Sequence, residues 1–228
     1  MCGIVGYTGF QDAYDIVING LRRLEYRGYD SAGIVLEDKN NNFEVKKTKG
    51  KVSDLVAISE NLKGTSHIGM GHTRWATHGV PSDRNSHPHV SNDGKIALVH
   101  NGIIENYDTI KTMLIGKGFT FSSETDTEVL VNLIQYILDT QNTTFPEAVR
   151  YALNEVYGAY AITVMHKDYP GVLVVGRLGS PLAIGLGDKE YFIASDASPF
   201  VEFTKEAVYL EDGHMATISL EKGVEIRS

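Results

Sequence analysis

Helical periodicity marks several segments in the first two thirds of the chain. Over positions 12–24, apolar residues recur every three or four positions, which predicts an amphipathic helix. The same periodicity predicts helices over 52–60 and 107–115. Thr125 and Thr144 each precede a further helical pattern, and each has a glutamate three positions later, the spacing of a capping box.

Other apolar segments are short or alternate with polar residues, and these predict strands. They lie at positions 2–7, 32–37, 43–49, 67–73, 95–100, 159–165, 172–176, 182–186, 191–194, 208–210 and 215–218. Positions 75–94 show neither pattern and predict one long polar loop, of a length typical of lids and binding loops. We therefore expect a mixed chain with more strands than one sheet would hold.

Composition limits the function classes. The 228 residues contain no proline- or serine-rich linker, so we expect one domain over residues 1–228. With 21 basic and 29 acidic residues, the formal charge of 21 − 29 = −8 argues against nucleic-acid binding and favours a small molecule or a protein as partner. The sequence has neither a signal-peptide pattern nor an apolar run of the ~20 residues that span a bilayer, so we expect a cytoplasmic protein without a membrane partner.

The single cysteine, Cys2, follows the initiator methionine. If Met1 is removed, Cys2 carries both a thiol and a free α-amine, which places a nucleophile beside its own potential base. The alternative is structural, since a free cysteine also behaves as a small buried hydrophobic residue in a first strand. The position alone leaves both interpretations open.

Further polar residues could serve such a nucleophile. The planar guanidinium of Arg74 suits a small carboxylate, and Trp75 could cover it or simply pack at the root of the loop. Asn101 and Gly102 could donate to an oxyanion, although Asn-Gly is also the commonest hairpin turn. Asp126 could face a substrate ammonium, or it could be an acid favoured by the helix dipole.

Histidines are concentrated between positions 67 and 100. This region holds six of the eight, namely His67, His72, His78, His87, His89 and His100. The His87-Pro88-His89 triplet suggests a metal site, but the chain lacks a second cysteine and any zinc-protease spacing. The glycine-rich turns also lack a phosphate-binding fingerprint, so we expect neither a metal nor another cofactor.

Six motifs taken together resemble one enzyme family. They occupy positions 1–6, 24–33, 72–79, 87–89, 100–106 and 123–128. In this order they resemble the glutaminase domain of glutamine–fructose-6-phosphate aminotransferases, which are class II amidotransferases of the N-terminal-nucleophile hydrolase superfamily. The runs Leu-Glu-Tyr-Arg-Gly-Tyr-Asp-Ser-Ala-Gly and Ser-Glu-Thr-Asp-Thr-Glu favour this branch over the purine, asparagine and glutamate synthases.

The resemblance implies a role for each candidate residue. It implies that Cys2 is the nucleophile and that its α-amine, after loss of Met1, is the general base. It further implies that Asn101 and Gly102 form the oxyanion hole, and that Arg74 and Asp126 bind the α-carboxylate and the α-ammonium of glutamine. Thr77 and His78 would belong to a loop over the substrate, and Trp75 would gate the release of ammonia. Arg27 and His87 would support the site.

The resemblance also implies a fold and an activity. The fold is an α+β four-layer α/β/β/α sandwich of two antiparallel sheets, and the activity is hydrolysis of L-glutamine to L-glutamate and ammonia. The family's full-length enzymes continue into a sugar-isomerase half that binds fructose 6-phosphate, so we expect this chain to be a separated glutaminase domain. A non-catalytic glutamine-sensing domain is the alternative, because a retained Met1 would block the α-amine.

Overall fold

The computed structural model describes residues 1–76 and 79–228, and in this part of the chain the last α-helix is followed only by strands. The α-helices are α1 (Ala13–Leu24), α2 (Val52–Ser59), α3 (Tyr107–Gly116), α4 (Asp126–Thr140) and α5 (Phe145–Glu155). Single 3-10 turns follow α1 and α2, at Glu25–Arg27 and Glu60–Leu62. Each helix lies where the periodicity predicts one.

The strands are mostly short. They are β1 (Gly3–Thr8), β2 (Ser31–Glu37), β3 (Phe43–Lys49), β4 (Ile68–Arg74), β5 (His89–Val90), β6 (Ile96–Ile104), β7 (Gly158–His166), β8 (Leu173–Leu178), β9 (Ala183–Leu186), β10 (Tyr191–Ala194), β11 (Ala207–Tyr209), β12 (Met215–Ser219) and β13 (Gly223–Arg227). One sheet has the order β11-β9-β10-β1-β4-β2-β3, and the other has the order β13-β12-β8-β7-β6-β5. Neighbouring strands are antiparallel throughout both sheets.

Three clusters of buried apolar side chains define four layers. One cluster lies between α1, α2 and the first sheet, and includes Leu21 and Leu55. A second lies between α3, α4, α5 and the second sheet, and includes Ile134 and Val149. The third joins the two sheets face to face. The predicted α+β sandwich, with the layer order α/β/β/α, is therefore confirmed.

The structure differs from the strand predictions at three places. The segment read as one long loop contains β5, which pairs with β6, and β13 was not predicted because its sequence is polar and largely exposed. More importantly, β6 does not end at His100. It runs through Asn101 and Gly102 to Ile104, so the interpretation of Asn-Gly as a hairpin turn was wrong.

Side-chain caps fix the start of α4. The Thr125 hydroxyl accepts a hydrogen bond from the Glu128 N–H at 3.3 Å, as the capping-box spacing predicts. The Glu128 carboxylate does not return the bond to Thr125; it accepts from the Ser123 N–H at 2.8 Å and from the Ser123 hydroxyl at 2.7 Å. These bonds hold the turn before α4 and thereby fix the position of Asp126, the first helical residue.

Candidate active site

Cys2 lies immediately before β1, next to the end of β4. The register pairs Gly3 with Thr73, so Cys2 faces the residues that follow β4. Its Sγ accepts a hydrogen bond from the Trp75 N–H at 3.0 Å and contacts the Trp75 carbonyl oxygen at 3.4 Å. Burial raises the pKa of the Cys2 thiol, while the Trp75 N–H and the nearby chain terminus act in the opposite direction.

The carbonyl oxygen of Cys2 is held from two directions. It accepts one hydrogen bond from Arg27 Nε at 3.1 Å and another from Asn101 Nδ2 at 3.2 Å. The Met1 amino group donates to the Arg27 carbonyl at 2.5 Å. The main chain at Cys2 is therefore fixed by side chains from the turn after α1 and from β6 of the opposite sheet.

We call the first of these supports the arginine cluster, which consists of Tyr26, Arg27, Asp196 and Ser198. Arg27 Nη1 lies 3.3 Å from Asp196 Oδ2, and that carboxylate also accepts from the hydroxyls of Tyr26 and Ser198. Partial burial acts to raise the pKa of Asp196, but these hydrogen bonds and the charge of Arg27 hold it below its ordinary value. The arginine cluster is thus ionic and partly exposed.

The second support is the histidine cluster, which consists of His72, His87, His100, Asn101 and Thr127. All five side chains are buried. His72 stacks on His87 with ring centroids 4.0 Å apart and planes 10° apart, and His100 Nδ1 lies 3.0 Å from the Thr127 hydroxyl. Burial lowers the pKa of His72 to about 3 and that of His87 well below its ordinary value, so both rings are neutral.

Arg74 and Asp126 approach Cys2 from β4 and α4. Both are buried, with 3% exposure each, although both are charged side chains. Asp126 Oδ2 accepts a hydrogen bond from the Ile104 N–H at 2.8 Å, and Arg74 Nη2 donates to the Gly79 carbonyl at 3.1 Å. Two buried side chains of opposite charge that border the same small space as a thiol suit a zwitterionic ligand.

These side chains border one small polar pocket. It is lined by Cys2, Arg74, Trp75, His87, His100, Gly102, Thr125, Asp126 and Thr127. A second, more open and more apolar cavity of about 310 Å³ also borders Cys2. It is lined by Met1, Cys2, Arg27, Trp75, Asn101, Gly102, Ile103, Ser180 and Pro181.

Gly102 allows the close passage of two strands at this point. Its φ is +125°, a conformation that side chains rarely allow, and an added Cβ would lie 2.2 Å from the Ala159 carbonyl oxygen. The sequence requirement for glycine here is therefore steric. It follows from the close pairing of β6 with β7 and not from a hairpin turn.

The structure brings most of the predicted site residues together. Cys2, Arg74, Trp75, His87, Gly102 and Asp126 border the polar pocket, and Asn101 and Arg27 reach it through the Cys2 carbonyl. Thr77 and His78 lie outside the described residues. His72, His100, Thr127 and Asp196 also lie at this site, and no role was predicted for them. The first three nevertheless lie within the motifs at positions 72–79, 100–106 and 123–128, and His72 and His100 also belong to the histidine-rich region.

Among residues 1–76 and 79–228, no three His, Cys, Asp or Glu side chains are arranged to hold a metal ion. The histidine rings are bonded to protein groups instead: His89 Nε2 lies 2.9 Å from the Thr125 hydroxyl, and His87 Nδ1 accepts from the His100 N–H at 3.2 Å. In the same described part of the chain, no helix has the length and apolar character needed to cross a membrane.

Comparison with known proteins identifies the family. Residues 45–222 match the model of the glutamine amidotransferase domain. The chain belongs to the glutamine amidotransferase family, which is a family of enzymes. The chain is 53% identical, over 99% of its length, to glutamine–fructose-6-phosphate aminotransferase (isomerizing) of Bacteroides thetaiotaomicron, and 47% identical over 96% of its length to the protein of that name from Pyrococcus horikoshii. It spans 37% and 36%, respectively, of the lengths of these relatives.

Solved structures of amidotransferases share the fold. Glutamine phosphoribosylpyrophosphate amidotransferase of B. subtilis superposes with a TM-score of 0.84 at 29% identity, over 99% of this amidotransferase domain and 49% of that chain. A class II glutamine aminotransferase domain protein from Silicibacter pomeroyi superposes with a TM-score of 0.67 over 100% of this domain and 99% of that chain. Its identity is 15%, so this likeness concerns the fold alone.

Proposed function

We propose that this domain hydrolyses L-glutamine to L-glutamate and ammonia through a γ-glutamyl thioester on Cys2. The observation that carries the proposal is the polar pocket, which collects Cys2, Arg74, Gly102 and Asp126 around one small space. Such a pocket offers a thiol, a cation, an anion and main-chain donors within reach of one small zwitterion. Membership in the glutamine amidotransferase family supports glutamine as that zwitterion.

In the proposed complex, Arg74 binds the α-carboxylate and Asp126 the α-ammonium of glutamine. Both side chains are buried, so their charges act in a medium of low effective dielectric and orient the ligand strongly. The side-chain amide of glutamine then extends towards Cys2 Sγ. Fixing both reactants in this way supplies much of the catalytic advantage, because it replaces a bimolecular encounter by an aligned intramolecular attack.

The chemistry follows from the thiol and its neighbours. The Cys2 α-amine, freed by removal of Met1, accepts the thiol proton, and the thiolate adds to the amide carbon of glutamine. Asn101 and Gly102 donate hydrogen bonds to the resulting oxyanion. Collapse breaks the C–N bond, and the leaving nitrogen takes the proton and departs as ammonia, leaving the thioester. Water then adds to the thioester, which releases glutamate and restores the thiol.

Trp75 is proposed to control the exit of ammonia, with Thr77 and His78 in the loop over the substrate. The Trp75 main chain contacts Cys2 Sγ, its side chain is 55% exposed, and its ring packs over Gly28, where an added Cβ would lie 3.1 Å from the indole. Trp75 also borders both the polar pocket and the open cavity. A residue in this position separates the reacting thiol from the surface.

We further propose that the ammonia is used in amino-sugar synthesis, by transfer to fructose 6-phosphate bound to a sugar-isomerase half of a longer protein. This proposal is supported by sequence similarity: about half of the aligned positions are identical to those of aminotransferases named for that substrate. The test is whether the product of the complete gene forms glucosamine 6-phosphate from glutamine and fructose 6-phosphate.

The glutaminase proposal is tested at Cys2. We expect Cys2→Ala to retain glutamine binding by calorimetry and to lose ammonia release, because no other cysteine is present to act as nucleophile. Acid-quenched wild-type protein mixed with glutamine should show a mass increase of one γ-glutamyl group, located by peptide mapping on Cys2. A near-normal glutaminase rate in Cys2→Ala would refute the thioester mechanism.

The state of the N-terminus separates catalysis from mere glutamine sensing. Intact-mass measurement shows whether Met1 is removed, and a preparation that retains Met1 is the matched control. It should bind glutamine without releasing ammonia, because its Cys2 nitrogen is an amide and cannot act as a base. If protein lacking Met1 bound glutamine and released no ammonia, the sensing function would replace the proposed one.

A further inference from the structure

The orientation of the Asn101 side-chain amide can be deduced from its surroundings. Asn101 Nδ2 lies 3.2 Å from the Cys2 carbonyl oxygen, which can only accept, and 3.5 Å from the Ser195 hydroxyl. An amide turned the other way would place two oxygens against each other. The NH2 group therefore faces Cys2, and Oδ1 faces the opposite direction, into the protein.

His72 occupies the other side of this amide. Its Nε2 lies 2.8 Å from Asn101 Oδ1 and 3.0 Å from the His100 carbonyl oxygen. Both oxygens are acceptors, so Nε2 must carry the proton and donate to them. A neutral His72 then has an unprotonated Nδ1, which is buried and has no hydrogen-bond partner among the described residues.

Packing fixes the His72 ring in this position. His72 is in β4 and Asn101 in β6, so the contact joins the two sheets at the end where Cys2 lies. The His72 ring is 1% exposed and stacks on His87, whose own Nδ1 is engaged by the His100 N–H. Burial keeps the pKa of His72 near 3, so its tautomer persists at neutral pH.

We propose that His72 is a positioning residue, whose Nε2–H holds the Asn101 amide with its NH2 group directed at the reacting centre. His72 does not line the polar pocket, and its hydrogen bond to Asn101 links it to the reacting centre. The inference rests on the proposed glutaminase function, because it names the hydrogen-bond donor that orients Asn101, one of the two proposed oxyanion donors. Without this bond, the buried Asn101 Oδ1 would lose the donor that His72 supplies.

Three variants test the proposal. His72→Phe keeps a stacked ring and removes the donor, and we expect kcat to fall by about 10²-fold, the lower end for loss of an oxyanion donor, with KM for glutamine nearly unchanged. His72→Gln restores an N–H donor of similar reach, and its kcat should be at least tenfold higher than that of His72→Phe. His166→Phe is the matched control, because His166 is also buried among aromatic rings but lies at the far end of β7, and it should retain wild-type kcat.

A double-mutant cycle separates positioning from general structural damage. In an Asn101→Ala background, His72→Phe should cause no further loss of kcat, since the group it positions is gone. Equal fold losses in both backgrounds, or an unchanged kcat in His72→Phe, would overturn the proposal. Thermal unfolding of each variant shows whether a loss of rate reflects loss of folded protein.

A readout independent of turnover keeps this test separate from the glutaminase proposal. By ¹⁵N NMR, His72 should show a protonated Nε2 and an unprotonated Nδ1 from about pH 5 to 8. The Asn101 side-chain NH2 resonance, assigned by its loss in Asn101→Ala, should exchange faster with solvent in His72→Phe. A protein with these signatures and no ammonia release would contradict the glutaminase function alone, whereas an Nδ1-protonated His72 or an unaltered Asn101 resonance would contradict the positioning role.

Discussion

The histidine cluster and the arginine cluster hold the same atom by different physical means. The Cys2 carbonyl oxygen accepts from Asn101 Nδ2 on one side and from Arg27 Nε on the other, at 3.2 and 3.1 Å. On the histidine side the support is buried between the sheets, and its stacked rings, His72 and His87, are neutral. On the arginine side it is an ion pair whose carboxylate partner, Asp196, is 28% exposed.

This difference predicts different sensitivities. A buried cluster of neutral groups is stabilised by close packing, so a change of shape should disturb it more than a change of salt. An exposed ion pair is screened by salt and contributes little free energy by itself. We therefore expect the support of Cys2 by the histidine cluster to be insensitive to salt, and its support by the arginine cluster to weaken as salt is added.

The largest expected effect comes from altering the packing beneath the histidine cluster. A Cβ added to Gly33 of β2 would lie 1.7 Å from the His87 carbonyl oxygen, so Gly33→Ala must displace the segment that carries His87. We expect a loss of about 3 kcal/mol in the free energy of unfolding, measured by urea denaturation.

Gly116→Ala is the matched control, because an added Cβ there, at the end of α3, meets no atom within 4 Å. It should be neutral, or stabilising by up to about 1 kcal/mol, since alanine restricts the unfolded chain. A Gly33→Ala protein as stable as the Gly116→Ala protein would show that the histidine cluster is not closely packed against β2.

The next effect comes from the arginine cluster. Arg27→Met keeps the length of the side chain but removes the donor to the Cys2 carbonyl, and we expect kcat for glutamine hydrolysis to fall by about 10²-fold through misplacement of the nucleophile. Asp196→Asn removes only the charge that orients Arg27, and should cost about fivefold, consistent with a partly exposed ion pair of about 1 kcal/mol.

Salt provides the discriminating measurement for this pair. Raising the ionic strength should lower the wild-type rate towards that of Asp196→Asn and leave Arg27→Met unaffected. If Asp196→Asn were as damaging as Arg27→Met, the carboxylate would have a role beyond orienting the guanidinium.

The sequence predicted the helices and most strands because their apolar residues repeat at the proper period. It also indicated Cys2, Arg74 and Asp126, whose residue types and the motifs around them carry chemical information. It could not predict which face of β6 meets which face of β4, since the contact between Asn101 and His72 depends on how two sheets stack. Local propensity misassigned Asn101-Gly102 as a turn, because the strand pairing that overrides it involves residues about sixty positions away.

Asp196 shows a second limit of sequence reasoning. It is 169 positions from Arg27, and nothing in its surroundings suggests a link to the N-terminus. The pairing of β10 with β1 brings it there. Arg27 itself was predicted as a support only through the family resemblance, and the structure supplies the atom that it contacts.

The smallest expected effect involves Lys47, which anchors the segment that carries His87. Its Nζ donates to the carbonyl oxygens of Arg84, Ser86 and Pro88 at 3.4, 3.0 and 3.2 Å. Burial lowers the pKa of Lys47 to about 8 from an ordinary value of 10.5, with the charges of Glu128 and Asp83 acting in the opposite direction. Lys47 therefore places a charged side chain beneath the segment that carries His87.

The sign of the resulting pH dependence follows from proton binding. Between about pH 8 and 10.5 the unfolded chain keeps the Lys47 proton while the folded protein has lost it, so stability contributed by this residue rises with pH in that window. The free energy of unfolding of wild type relative to Lys47→Met should therefore increase with a slope of at most about 1.4 kcal/mol per pH unit. Lys39→Met, which removes an exposed lysine from a hairpin turn, is the matched control. A flat difference for Lys47→Met would mean that the ammonium is solvated and does not anchor the segment that carries His87.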